Sequence, residues 1–384
     1  MKYIKNFLKG LVGLLLFIVL LAYVTDHEYI LKGVRVVYLT GHTTAYIDDY
    51  PHFENMEIAT GTPQPWPEHQ DYNTIKATDT LAEYHKATGT AAFVVIKNDS
   101  VWHEWYDEGF SNTSRTNSFS MAKSITTAML GKAITDGDIK NLDQPLSDFY
   151  PEFSGAATTV GDLSSMASGL NWEESYTSPF SVTARAYYDD DLAETMLDLE
   201  ITDKPGERFE YLSGNTQLLG MVVEKATGQK MANYLSDKFW KPMGFENTGL
   251  WQVDDAEHKL AKSYCCIATS ARDFARFGKL FKDNGRWNGE QIIDSAFVQT
   301  ATHRRFEKDP EYGYGFWLSD HLGKEIFVMR GILGQYVITI PEDNLIIVRL
   351  GKSTAGWDET DRPFTKDFYA YVDQTYTMMK EASR

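Results

Sequence analysis

Strand-like sequence occurs in two blocks near opposite ends of this chain, with about 200 residues of mainly helical pattern between them. Ala91 to Lys97 and Val101 to Tyr106 are rich in β-branched and aromatic residues, and Asn98-Asp-Ser100 between them predicts a hairpin. Comparable runs return at Tyr314 to Leu318, Ile326 to Arg330, Gln335 to Ile340 and Leu345 to Leu350, the last two joined by Pro341-Glu-Asp-Asn344. Hairpin connections imply an antiparallel sheet. Strands segregated from helices imply an α+β fold, since βαβ units would alternate them. The expected architecture is an antiparallel sheet flanked by helices, with a large, mainly helical insertion from about 121 to 300. A final helix is expected over Thr365 to Met379.

Helix punctuation supports this outline. Leu81 to Thr88 predicts a short helix. Gly206 and Gly228 bracket Gln217 to Ala226, a helix with apolar Leu218, Leu219, Met221, Val222 and Val223. Ser270 caps Ala271 to Lys282, with Phe274, Phe277 and Leu280 facing inward.

The N-terminus differs in kind. Lys2, Lys5 and Lys9 precede an uninterrupted apolar run, Gly10 to Val24. With Phe7 and Leu8 it is long enough to cross a bilayer. Lysines before it and Asp26 and Glu28 after it place the first residues in the cytoplasm and the rest outside. Residues 1–25 are expected to be an uncleaved anchor in the inner membrane, with the remainder in the periplasm or extracytoplasmic space. The alternative is a signal peptide and a secreted chain, but Leu21-Ala22-Tyr23-Val24 supplies a single small residue ahead of a cut. Residues 26–75 are expected to form a tether. Val34 to Leu39 could be a short strand there, and Thr62-Pro-Gln-Pro-Trp-Pro67 forbids helix. Residues 76–384 form the expected globular domain.

The net formal charge of −17 leaves no basic stripe for phosphates, which argues against a nucleic-acid partner. Cys265 and Cys266 are adjacent, and sequence neighbours rarely reach disulfide geometry; they are expected to be buried thiols. His258 lies near them in sequence but fits no metal-ligand spacing.

The stretch that carries chemistry is Ser120-Met-Ala-Lys123. Residues three apart on a helix are neighbours, so this spacing sets a hydroxyl beside an amine. A serine becomes a useful nucleophile when a base lies within hydrogen-bond reach. An apolar stripe follows at Ile125, Ala128, Met129, Ala133 and Ile134, ending at Asp136-Gly137. The pair therefore opens a helix whose N–H groups point outward and favour a developing anion. Alone, Ser-x-x-Lys is expected about once by chance in a chain this long. A further proton carrier is sought in Pro205-Gly-Glu-Arg-Phe-Glu-Tyr211-Leu-Ser213-Gly-Asn215, where Tyr211 sits in a loop between helices.

Taken in order, Asn117 to Ser124, Leu163 to Trp172, Pro205 to Gly220, Trp240-Lys-Pro-Met-Gly244, Ala271 to Gly278 and Gly331-Ile-Leu-Gly-Gln335 resemble the serine β-lactamase and penicillin-binding-protein superfamily. The likeness is to the branch with a tyrosine in its second motif, and closest to 6-aminohexanoate-dimer hydrolase-like proteins. It implies a β-lactamase-like fold and a serine hydrolase that needs no cofactor and no metal. In that reading Ser120 forms an acyl-enzyme and Lys123 and Tyr211 share the proton traffic. The N–H of Ile332, after Gly331, joins that of Ser120 in an oxyanion hole, and Ser213 takes the third place of the second motif. Two departures stand out. Ser213 replaces the usual asparagine of Tyr-x-Asn, and Met329-Arg330-Gly331 replaces Lys-Thr-Gly or His-x-Gly. Strand side chains alternate, so if Met329 faces the site Arg330 faces away. The resemblance with these departures implies weak affinity for β-lactams and a small ester or linear amide as substrate. The alternatives are a catalytically weak envelope sensor or binding protein on the same fold, or a β-lactamase or D-peptidase.

Overall fold

The computed structural model describes residues 2–357 and 363–382. Met1, the last two residues of the expected 76–384 domain and a short stretch before Pro363 lie outside the described residues. In chain order the helices are α1 (Lys2–Val24), α2 (Tyr29–Val36), α3 (Asp79–Thr88), α4 (Met121–Asp136), α5 (Val160–Ser164), α6 (Val182–Tyr188), α7 (Leu192–Leu197), α8 (Ser213–Thr227), α9 (Met231–Leu235), α10 (Ala271–Lys282), α11 (Ser295–Ala301) and α12 (Lys366–Ala382). The strands are β1 (Asn55–Ile58), β2 (Thr90–Lys97), β3 (Ser100–Tyr106), β4 (Thr116–Asn117), β5 (Gly249–Gln252), β6 (Ile267–Thr269), β7 (Arg286–Trp287), β8 (Glu290–Gln291), β9 (Trp317–Ser319), β10 (Ile326–Gly331), β11 (Gln335–Ile340) and β12 (Leu345–Gly351).

The two sequence blocks of strands close into one six-stranded antiparallel sheet, ordered β3-β2-β12-β11-β10-β9. β2 and β12 join its early and late parts, with Val94 opposite Val348 and Val95 opposite Ile347. Alternation then sorts side chains to two buried faces. Phe93, Val95, Ile338 and Ile347 meet Leu81 of α3 and Phe368 and Val372 of α12. Val94, Ile96, Val337, Ile346 and Val348 meet Phe274 and Phe277 of α10 and the apolar side of α4. Both faces are covered, which is why these strands are apolar throughout.

α10 begins where the cap predicts: the Ser270 hydroxyl accepts from the N–H of Asp273 at 3.2 Å. It approaches the sheet so closely that a Cβ at Gly278 would lie 2.8 Å from Thr339 Oγ1. α4 is buried along most of its length and ends at Gly137 in the left-handed conformation (φ +85°).

The region 121–300 is mainly helical, but it also contributes β5 and β6 to a second antiparallel sheet, ordered β1-β5-β6-β4. That sheet also differs from expectation for residues 26–75. β1 pairs with β5, Ile47 and Ile58 are buried, and Trp66 donates its indole N–H to the Arg272 carbonyl at 2.9 Å. This segment packs onto the body of the protein rather than hanging as a free tether. The strand expected over Val34 to Leu39 is instead the end of α2 and a 3-10 turn. Tyr29 and Val36 of α2 are buried, and packing of that amphipathic face overrides the β-propensity of the valines.

Candidate active site

The position of Ser120 is built by a strand, a tight turn and a helix. β4 ends at Asn117, whose side chain ties three segments together. Its Oδ1 accepts from the Phe119 N–H at 2.9 Å, and its Nδ2 donates to Asp49 Oδ1 at 2.9 Å. Its backbone N–H donates to the Ile47 carbonyl at 2.6 Å. Ser118 bonds Ile267 twice, through backbone N–H (2.7 Å) and hydroxyl (3.0 Å). Between these anchors Phe119 is held at φ +44°, a conformation that costs a side-chain-bearing residue about 1–3 kcal/mol. Its buried ring, packed with Ile47 and Ala91, opposes that cost. Ser120 follows at the N-cap of α4, where the helix dipole favours negative charge.

Lys123 lies one turn on, with 1% of its surface exposed. Its Nζ contacts Ser120 Oγ at 2.9 Å, Ser213 Oγ at 3.0 Å and the Tyr264 carbonyl at 3.1 Å. The Ser213 hydroxyl donates to Glu174 Oε1 at 2.7 Å, and the Ser213 N–H to Glu174 Oε2 at 2.6 Å. The same carboxylate accepts from the Trp172 indole at 2.8 Å and from the Tyr176 hydroxyl. A hydroxyl has one hydrogen, and here Glu174 takes it, so the oxygen lone pairs of Ser213 face Lys123. The result is a directed chain, Glu174–Ser213–Lys123–Ser120.

Tyr211 stands beside this chain. Its ring centroid is 5.1 Å from Lys123 Nζ and packs against Tyr312 and Trp317. Among the described residues no hydrogen bond joins its hydroxyl to Ser120 or Lys123. Lys123 meets Tyr211 through the ring face and meets Ser213 through a hydrogen bond.

Ser120 opens into a cavity of about 90 Å³, room for the few atoms around a scissile carbonyl. Ser213 and Ile332 line it together with Phe119. The opposite wall comes from distant segments: Thr44 and Ala45, Ser175 and Tyr176, four residues of α6, then Tyr264 and Cys265. A larger open cleft of about 1240 Å³ by Phe281, Arg304 and His321 includes none of the predicted site residues.

Gly331 is where β10 reaches the start of α4. A Cβ there would lie 2.4 Å from the Ser118 carbonyl, so any side chain would push the strand from the helix. Met329 is buried in the main core, and neither it nor Arg330 lines the cavity. Arg330 turns to the other side, donating to the Pro363 carbonyl at 2.8 Å and stacking on Trp317 and Phe364.

Sequence reasoning missed Glu174, Tyr264, Thr44, Ala45 and Asp49. A usable signal existed for Glu174: it sits among donors in Trp172-Glu-Glu-Ser-Tyr176, directly after a stretch that matched the superfamily. The cysteines also differ from expectation. Cys265 and Cys266 form a disulfide between adjacent residues, in a turn where Cys266 has φ +76°. Asp254, Asp255 and His258 bring ligand atoms within 4.8 Å of one another. Their carboxylates cap a turn, accepting from the N–H groups of Leu260, His258 and Glu257, which is a structural role.

A buried lysine stands behind the wall, bonded to its residue Tyr187. Lys262 is fully buried, donates to the Tyr187 carbonyl at 2.5 Å and lies over the Phe53 and Tyr187 rings. Burial, with Lys32 adding repulsion, lowers its pKa to about 7. Burial likewise raises Asp49, despite hydrogen bonds from Asn117 and Tyr187.

A sequence model described as Beta-lactamase matches residues 76–369. The chain is 26% identical over 307 residues to 6-aminohexanoate-dimer hydrolase of Paenarthrobacter ureafaciens, covering 73% of this chain and 76% of that protein. A solved structure from Bacillus anthracis, described as a candidate 6-aminohexanoate-dimer hydrolase, superposes with a TM-score of 0.71 at 18% identity, covering 92% of this chain and 94% of that one. A penicillin binding protein from Bacillus halodurans superposes with a TM-score of 0.59 at 17% identity, covering 78% and 99%.

Proposed function

The chain belongs to the beta-lactamase family of serine hydrolases, and from that premise we propose that it is a membrane-tethered hydrolase that cleaves an ester or amide through an acyl-enzyme on Ser120. One observation carries the proposal: Lys123 Nζ stands 2.9 Å from Ser120 Oγ at the N-terminus of α4.

In this reading Ser120 Oγ attacks the substrate carbonyl, and its proton passes into the Lys123–Tyr211 pair. The N–H groups of Ser120 and Ile332 hold the oxyanion, each such donor contributing about 3 kcal/mol in the transition state. The bond to the leaving group then breaks, and the proton returns to that oxygen or nitrogen. Water attacks the acyl ester, releases the acid and regenerates Ser120. The 2.9 Å contact of Lys123 with Ser120 supports Lys123 in the first proton transfer, and Tyr211 lies over it with its π-face.

The cavity supports the choice of substrate. Among the described residues no lysine, arginine or histidine lines it, so none of them is set there to hold a substrate carboxylate. Ser213 offers a hydroxyl already committed to Glu174 where the family pattern has an amide. An ester or linear amide without a carboxylate beside the scissile bond fits that lining. The tether is α1, a 23-residue apolar helix with no buried residue.

A fluorophosphonate probe tests the proposal. It is expected to label the purified chain at Ser120, and Ser120→Ala is expected to abolish both labelling and p-nitrophenyl ester hydrolysis. A folded chain that neither takes the probe nor turns over esters overturns it in favour of a binding role.

A further inference from the structure

The large apolar side chains left exposed outside α1 are unevenly placed. Among the described residues they are Val34, Tyr38, Leu39, Tyr176 and Phe180, with Leu322 and Trp357 elsewhere. Leu39 is 78% exposed and Phe180 71%. Scattered exposed apolar residues are ordinary, but a contiguous set marks an interaction surface.

These five lie where α1 joins the body of the protein. The chain leaves α1 without slack. Asp26 accepts from Arg185 of α6 at 2.6 Å, and Arg185 lies over the Tyr29 ring. The ring of His27, the residue after Asp26, is 5.8 Å from that of Phe180. α2 packs against α6 so tightly that a Cβ at Gly33 would sit 3.3 Å from the Tyr188 ring. α6 is itself a wall of the Ser120 cavity, and Tyr176 lines that cavity while 53% exposed. The apolar surface thus runs from the foot of α1 to the cavity mouth. Two of the cations within it are paired, Arg185 with Asp26 and Lys32 with Asp190, while Arg35 of α2 is exposed beside Val34.

We propose that this surface rests on the lipid bilayer and that the Ser120 cavity opens at the headgroup–acyl boundary, taking esters or amides whose acyl or alkyl chain is dissolved in the membrane. The occupant follows from continuity. The helix that ends at Val24 is apolar on every side, and a bilayer around it would meet the residues at its foot first. The inference rests on the tether and hydrolase readings above and deepens both.

The test uses the full chain reconstituted into phosphatidylcholine–phosphatidylglycerol vesicles that contain nitroxide-labelled phospholipid. A bimane fluorophore is placed in turn on Leu39→Cys, Phe180→Cys and Leu322→Cys. Labels at 39 and 180 are expected to be quenched at least about twofold, and the label at 322 to match its value in nitroxide-free vesicles. Leu39→Asp combined with Phe180→Asp is expected to lower hydrolysis of a vesicle-borne long-chain p-nitrophenyl ester about fivefold or more, leaving p-nitrophenyl acetate unaffected. A chain that floats with the vesicles but shows no quenching at 39 and 180 overturns this inference and leaves the tether standing. A chain that does not float overturns both. Fluorophosphonate labelling reports the hydrolase reading separately from either result.

Discussion

Two sides of one cavity are built in opposite ways. The corner holding Ser120 and Lys123 is local, its two side chains three residues apart on the first turn of a buried helix. The facing wall is assembled from residues near 44, 175, 184, 187 and 264, brought together by α2, α6 and the small sheet. Helix geometry fixes the corner once α4 forms, whereas the wall exists only after folding is complete. Chemistry placed on the rigid local element and substrate contacts placed on the composite wall can change independently, which fits a fold that hosts many activities.

The comparison breaks most easily at the corner. Lys123→Met keeps the volume and removes the amine, and it is expected to lower kcat/KM for p-nitrophenyl esters about 10³-fold. Methionine fills the same space but leaves the Tyr264 carbonyl without its donor, so the thermal midpoint is expected to fall modestly while the chain stays folded. A variant that stays folded and keeps most of its activity would show that the corner is scaffolding.

The junction between the two sides is Ser213, which accepts from Lys123 and donates to Glu174. Losing a hydrogen bond to a charged group is worth about 1.5–3 kcal/mol, so Ser213→Ala should lower kcat about 10- to 100-fold with KM little changed. Glu174→Gln acts on the same hydroxyl. The double variant should fall no further than the worse single one, because both break a single directed chain. Fully additive losses would show that Glu174 only packs the wall.

The same division governs what could be seen in the sequence. The six strands of the main sheet, α10 with its Ser270 cap, and the Ser120–Lys123 pair all follow from patterns within a few residues. Gly331 was legible as motif, though the reason for it, the 2.4 Å approach to Ser118, is tertiary. Tyr264 and the 44–49 segment carry no local pattern, and Glu174 carries only its place among donors just after a matched stretch. Asp49 sits in a polar stretch typical of loops, and only the fold reveals that it joins Asn117, Tyr187 and Gln252. α2 misled for a related reason: its valines favour a strand, and burial against α6 decided otherwise.

The wall has an anchor that titrates near neutrality, and this gives the smallest and most specific effect. Lys262 ties Tyr187, Phe53 and the turn leading to Tyr264 together, with its pKa lowered to about 7 by burial. An unfolded lysine titrates near about 10.4. Between these values the unfolded chain binds a proton that the folded chain has released, so stability rises with pH across that window. Below about 7 both states carry the proton and this contribution to the slope vanishes. Asp49, its pKa raised from 3.8 by burial, opposes in sign: its contribution falls as pH rises above the unfolded value. Urea unfolding of the parent and of Lys262→Met at intervals from pH 6 to 10 separates the two. The parent's stability is expected to gain up to about 1.4 kcal/mol per pH unit over the variant inside the window. Parallel curves for the two proteins would mean that Lys262 keeps its proton in the folded state and does not make the wall pH-sensitive.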